Sequence, residues 1–153
     1  FSCHVCLLRP KSIGTVKINS KDPNDAPLID PNYLSNDEDM KTMIKGYRKM
    51  MQIMNTEPLA EFNNIRNPIN INDDKAIESA IRARSDTIYH PVGTCKMGTD
   101  NMAVVDNNLR VYGIKNLRVV DASIMPTLIG GNTNAPAMMI AEKAADIIKQ
   151  NAS

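Results

Sequence analysis

Apolar residues recur at three- and four-residue intervals through Met40, Met43, Ile44, Tyr47, Met51 and Met54, the period of one helical face. Ser35 followed by Glu38 reads as a capping box, and Asp37 and Asp39 put negative charge into the first turn. Glu57-Pro58 ends the run. The methionines suit core filling better than a peptide groove, because an unbranched thioether adapts to irregular gaps. A second helix is expected from Asp73 to about Arg84, capped by Asn72, with Ile77, Ala80 and Ile81 inward. A third, "NAPAMMIAEKAADIIKQ", has Pro136 near its first turn and a face of Met139, Ile140, Ala144, Ile147 and Ile148.

Other stretches carry strand patterns instead. Cys3 to Leu8 suits a strand ended by Arg9-Pro10, Ser12-Ile13-Gly14 reads as a turn, and "TVKI" (15–18) alternates as a second strand. Pro23, Pro27 and Pro31 deny the following loop any long regular element. "AVVDNNLRVYGIKNLRVVDASIMP" reads as short strands around turns at Asp106-Asn107-Asn108 and Tyr112-Gly113. Strand signals early and late with helices between them predict an α+β class. The connection from Asn63 to Asn72 is either a cavity entrance or a surface link.

Composition narrows the functions. A chain of 153 residues can bury one ordinary core. Its 18 basic residues nearly balance 17 acidic ones, so no polybasic surface for nucleic acid is expected. No run of about 18 apolar residues offers a membrane span. The start, "FSCHVCLLRP", has neither an initiator methionine nor a signal-peptide layout, so a piece of a longer chain is expected, its compartment set by residues upstream. Asn151-Ala152-Ser153 matches a glycosylation acceptor. Cys3, His4 and Cys6 form a C-x-x-C without the second ligand pair of a zinc site or the βαβ setting of a redox motif. They read as ordinary strand positions, and no metal is expected.

Three segments could carry chemistry. In "TIYHPVGTCKMG", His90 precedes a proline, which disfavours the helical region and leaves it extended, before a turn at Gly93-Thr94. That suits a base at the lip of a cleft, since imidazole titrates near neutrality. A buried histidine satisfied by a carbonyl fits the segment equally well. In "VVDASIMP", a short strand ends in Asp121 before two small residues; the carboxylate could reach a ribose or ribityl hydroxyl, or serve a turn. In "GGNTNAPAMM", paired glycines permit close backbone approach, Asn132 and Asn134 offer amides, and a helix starts just after them. Capping by Asn134 explains one asparagine but not two.

In this order the three segments resemble the carboxy-terminal domain of the glucose–methanol–choline (GMC) flavoprotein oxidoreductases. "LLRPKSIGTVKI" resembles that family's R-P-x-S-x-G-x-V strands, "YHPVGTCKMG" its catalytic-histidine segment, and "NLRVVDASIMPTLIGGNTNAPAMMIAEKAADII" its closing segment. "HPVGTCKMG" with "GGNTNAP" is similar to the choline-dehydrogenase and insect glucose-dehydrogenase branches, and the insect likeness leans toward secretion.

The resemblance implies an α+β domain, an antiparallel sheet with packed helices. Residues of about 1–98 would form the substrate-binding part, and about 99–153 a segment returning to an FAD-binding domain. It implies oxidation of the CH–OH group of an alcohol or sugar, with hydride passing to FAD and electrons then to a quinone or dioxygen. His90 would take the hydroxyl proton and Asn132 would orient the oxygen. Asp121 and Ala122 would lie near the ribityl and pyrophosphate, and Asn134 and Ala135 by the pyrimidine edge. There the positive end of the closing helix would stabilise reduced flavin by on the order of 1 kcal/mol. One departure counts against autonomy: the chain has no G-x-G-x-x-G for the pyrophosphate, so alone it should bind flavin poorly. The competing expectation is a GMC-fold binding module that has lost its chemistry.

Overall fold

Helix α1 (Asp37–Met54) buries the predicted stripe: Met40, Ile44 and Met51 are inside, and Met43, Tyr47 and Met54 are half-buried. The computed structural model describes residues 2–62 and 69–150, and the chain divides into two compact units, Phe1–Ile88 and Tyr89–Ser153. Residues 63–68 of the expected Asn63–Asn72 connection and the Asn151-Ala152-Ser153 acceptor lie outside the described residues. The architecture is α+β, with a small antiparallel sheet and helices.

In the first unit, α1 starts one residue later than the Ser35 box predicts. Asn36 is the cap, and its side chain accepts from the Glu38 N–H at 2.9 Å. A one-turn helix, α2 (Glu57–Ala60), follows, with Pro58 in its first turn where no N–H is needed. Helix α3 (Asp74–Arg84) is capped by Asp73 rather than Asn72, the Asp73 carboxylate accepting from the Lys75 and Ala76 N–H groups. Ile77 and Ile81 of α3 meet Met40 and Ile44 of α1, and Ile77 is wholly buried. Each such side chain contributes about 1.5–3 kcal/mol. Arg48 fastens the pair further, donating to the Ile71 carbonyl at 2.7 Å and bonding the Asp74 carboxylate.

Strand β1 (Thr15–Lys17) pairs antiparallel with β2 (Leu28–Asp30), Val16 opposite Ile29. The sequence reading missed β2, because three exposed residues between prolines carry no alternation. At Gly14 a Cβ would stand 2.2 Å from the Asp30 carbonyl oxygen, so the turn into β1 has room only for glycine. The strand expected over Cys3–Leu8 does not form. Val5 instead seats its side chain where a Cβ at Gly46 of α1 would stand, a contact that requires packing rather than ladder pairing.

The same unit buries a carboxylate. Asp39, in the first turn of α1, is 2% exposed and accepts from the Lys11 N–H at 2.9 Å, the Ser12 N–H at 2.7 Å and the Ser12 hydroxyl at 2.6 Å. Ser12 Oγ in turn accepts from the Asn36 N–H at 3.0 Å. Burial pushes the Asp39 carboxyl up, but the Ser12 hydroxyl and the Lys11 and Ser12 amides outweigh it and hold it below the usual carboxylate range.

In the second unit the expected late strands reduce to single bridges: Met97 with Val105, Val105 with Val111, and Arg110 with Arg118. Leu109 (φ +65°), Gly113 (φ +78°) and Asn116 (φ +60°) turn the backbone too often for a ladder to lengthen. Val105 is wholly buried, and Leu109, Ile124, Met125, Ile140 and Ala144 close the core around it. Helix α4 (Asn134–Gln150) supplies Ile140 and Ala144, one helical turn apart. Met139 (60% exposed) and Ile148 lie outside, against expectation, while Ile147 is half-buried. Among the described residues no helix is long and apolar enough to cross a membrane.

Candidate active site

The segment carrying His90 forms neither helix nor strand around the imidazole and is gripped at its far end. The Cys95 N–H donates to the Ser123 carbonyl at 3.1 Å and the Met97 N–H to the Ile124 carbonyl at 2.7 Å. Between them and His90, Gly93 (φ +89°) makes a turn closed by the Lys96 N–H on its carbonyl. Val92 and Met97 pack on the Val105 core. Ahead of the imidazole, Tyr89 sits at φ +64°, a left-handed conformation that a residue with a Cβ adopts only at a cost. Helix α4 packs on the single 3-10 turn Ala122–Ile124, and both rest on the same core. One hydrophobic cluster therefore positions both halves of the site.

Those halves meet at the imidazole. Asn132 Nδ2 lies 3.0 Å from His90 Nε2, and Thr133 Oγ1 lies 2.9 Å from His90 Nδ1. With the Asn132 amide nitrogen as donor, Nε2 is the acceptor and Nδ1 carries the ring hydrogen, directed at the Thr133 oxygen; the other tautomer would reverse both contacts. The two edges differ in surroundings: the Thr133 contact is partly buried, while the Asn132 contact is exposed. The basic lone pair thus lies at the exposed edge, where it holds the Asn132 amide hydrogen. A hydroxyl that displaces this contact gains an acceptor for its proton and a donor for its oxygen.

The remaining expected residues take other positions. Asp121 is exposed, caps the 3-10 turn and accepts from the Ser123 N–H at 2.7 Å, so the turn role is realised. Ala122 is half-buried against the core. Asn134 and Ala135 are the first two residues of α4, both exposed. The Thr133 carbonyl accepts the first helical bond, from Ala137 N–H at 2.9 Å, so Thr133 and not Asn134 is the cap residue. Thr133 is the site residue the sequence reading missed. The signal was a hydroxyl between two asparagines, immediately before a helix whose third residue is proline. Among the described residues no three His, Cys, Asp or Glu side chains cluster as a metal ion would require.

A family model described as GMC oxidoreductase matches residues 10–141. The chain is 51% identical over 151 residues to an alcohol dehydrogenase [acceptor] of Pseudomonas putida, covering 97% of this chain and 27% of the relative. It is 47% identical over 153 residues to the mitochondrial choline dehydrogenase of Homo sapiens, covering 97% and 26%. Among solved structures, an FAD-dependent oxidoreductase from Chaetomium thermophilum superposes with a TM-score of 0.87 at 32% identity, over 94% of this chain and 26% of that one. The chain thus spans about a quarter of the length of the curated relatives it matches.

Proposed function

The chain belongs to the GMC oxidoreductase family, and on that premise we propose that it is the catalytic and substrate-binding carboxy-terminal portion of an FAD-dependent enzyme that oxidises the CH–OH group of an alcohol or sugar. One observation carries the reading: His90 Nε2 and the Asn132 amide meet at 3.0 Å on an exposed edge, an acceptor and a donor that hold each other where an alcohol hydroxyl can insert between them. His90 accepts the hydroxyl proton at Nε2 as the carbinol C–H bond breaks. Asn132 donates to the alcohol oxygen and holds it on the ring's lone pair, without titrating itself. His90 is the only titratable member of the hydrogen-bonded group, so turnover requires its neutral form.

The donor set beside this pair suits FAD. Exposed amides at Asn132 and Asn134 and the amino end of a 17-residue helix offer hydrogen-bond donors and positive field to the polar edge of a ring that gains electron density. Asn134 and Ala135 would hold the pyrimidine edge, and Asp121 and Ala122 the ribityl and pyrophosphate. Bound FAD supplies the acceptor for the hydride. Residues of about 1–98 serve the substrate side, the rest returns to the flavin-binding part, and a quinone or dioxygen receives the electrons. Similarity to an alcohol dehydrogenase and a choline dehydrogenase favours a small alcohol as substrate.

Anaerobic stopped-flow mixing of the complete flavoprotein with a panel of alcohols tests the reading. Flavin bleaching is expected with at least one alcohol, and His90→Ala should slow it by roughly 10²- to 10⁴-fold. Near-normal bleaching in that variant removes His90 from the mechanism. No bleaching by any alcohol in the unaltered protein leaves a binding module that has lost its chemistry.

A further inference from the structure

We infer that Thr133 is a positioning residue that sets the tautomer of His90, and so decides which ring nitrogen faces the alcohol; this rests on the reading of His90 as the proton acceptor. Neutral histidine in water favours hydrogen on Nε2, the wrong nitrogen for this task. The hydrogen bond that the other nitrogen makes decides which tautomer persists in a protein. Here Nδ1 is 2.9 Å from Thr133 Oγ1 on the partly buried edge of the ring. By accepting the Nδ1 hydrogen there, the hydroxyl oxygen inverts the intrinsic preference and leaves the lone pair on Nε2, at the exposed edge beside Asn132.

The local sequence leaves that oxygen available. Thr133 is the cap of α4, and a capping hydroxyl ordinarily accepts from the backbone N–H of the second or third helical residue. The third is Pro136, which has no N–H. The run Thr133-Asn134-Ala135-Pro136 therefore removes one donor that would draw the hydroxyl toward its own helix. Branching at Cβ stiffens χ1, and the helix is moored through Ile140 and Ala144, so the oxygen holds its place while a ligand arrives. When Nε2 takes the alcohol proton, Nδ1–H stays donated to Thr133. No proton moves on that side, and Thr133 acts through the imidazole.

The test compares Thr133→Val, Thr133→Ser and Pro136→Ala in the complete flavoprotein. It reads the rate of flavin reduction across pH and the ring ¹⁵N signals of labelled His90, identified by their loss in His90→Ala. Thr133→Val should slow reduction roughly tenfold, the worth of one hydrogen bond, and move the ring signals toward the Nε2–H form. Thr133→Ser should restore both. Pro136→Ala, which returns a competing N–H, should shift both in the same direction by less. A Thr133→Val enzyme as fast as the parent overturns the inference, as does a slow one whose ring signals are unmoved or whose serine counterpart fails to recover. If the valine variant does not fold, unchanged rate and signals in Pro136→Ala overturn it. Normal reduction by His90→Ala would instead sink the catalytic reading, while the ring signals would still report on Thr133.

Discussion

Each of the two units builds one polar centre, and the centres are built to opposite ends. Asp39 in the first unit is almost wholly removed from water and draws donors from two amides and a hydroxyl, so its charge is satisfied inside the protein. His90 in the second unit is only half-buried, with one ring nitrogen on a partly buried hydroxyl and the other at an exposed amide. A buried carboxylate met by three donors from within has its charge already answered, and its work is to hold the Lys11-Ser12 turn to the start of α1. An imidazole with one edge secured and the other outward can exchange partners. The same kind of hydrogen bond serves permanence in one unit and reaction in the other, and burial separates the two.

Crossed substitutions should break this comparison most sharply. His90→Ala is expected to lower flavin reduction by roughly 10²- to 10⁴-fold, or about 3–5 kcal/mol of barrier. Protection of α1 amides against hydrogen exchange should be unaltered in that variant. Asp39→Ala should do the reverse. It leaves two amides and a hydroxyl without their acceptor, for a loss of about 2–4 kcal/mol in the opening of α1. The reduction rate per folded molecule should hold. A rate collapse in the Asp39 variant, with folding intact, would mean that the division of labour between the centres is misjudged.

The sequence displayed these centres unequally. The His90 and Asn132 segments stood out because a histidine before proline and asparagines after paired glycines are unusual settings, and the structure brings the two side chains within 3.0 Å. Helices α1, α3 and α4 were legible from spacing, because a buried face leaves a 3.6-residue trace wherever it packs. Asp39 was read only as a first-turn charge. Helical period says nothing about a loop some 28 residues upstream folding over the helix start, although Ser12 and Gly14 in "RPKSIG" were its only local trace. Thr133 was passed over because capping logic assigned the position to Asn134. The late apolar runs suggested strands because alternation records which residues face inward, while one of the positive-φ turns that cut the ladders short falls at Leu109, a residue type that seldom adopts that conformation.

The smallest expected effect sharpens the first centre alone. Ser12→Ala removes the hydroxyl that donates to Asp39 and accepts from the Asn36 N–H, for about 1–2 kcal/mol at neutral pH. Its diagnostic feature is the pH dependence. A carboxylate whose folded pKa lies below its unfolded one binds fewer protons folded than unfolded, so stability rises with pH through that interval. The contribution is complete above the ordinary carboxylate range and is lost as pH falls through the depressed folded value. Burial pushes the Asp39 carboxyl up, and the Ser12 hydroxyl is foremost among the groups opposing it. Without that hydroxyl the folded pKa should climb and the acid loss of α1 protection should begin at higher pH. Asp39→Asn, which has no charge to titrate, should flatten this part of the profile. Hydrogen exchange of the α1 amides from neutral pH down through the carboxylate range separates the three curves. An acid limb in Ser12→Ala that coincides with the parent's would show that the two amides alone hold the charge.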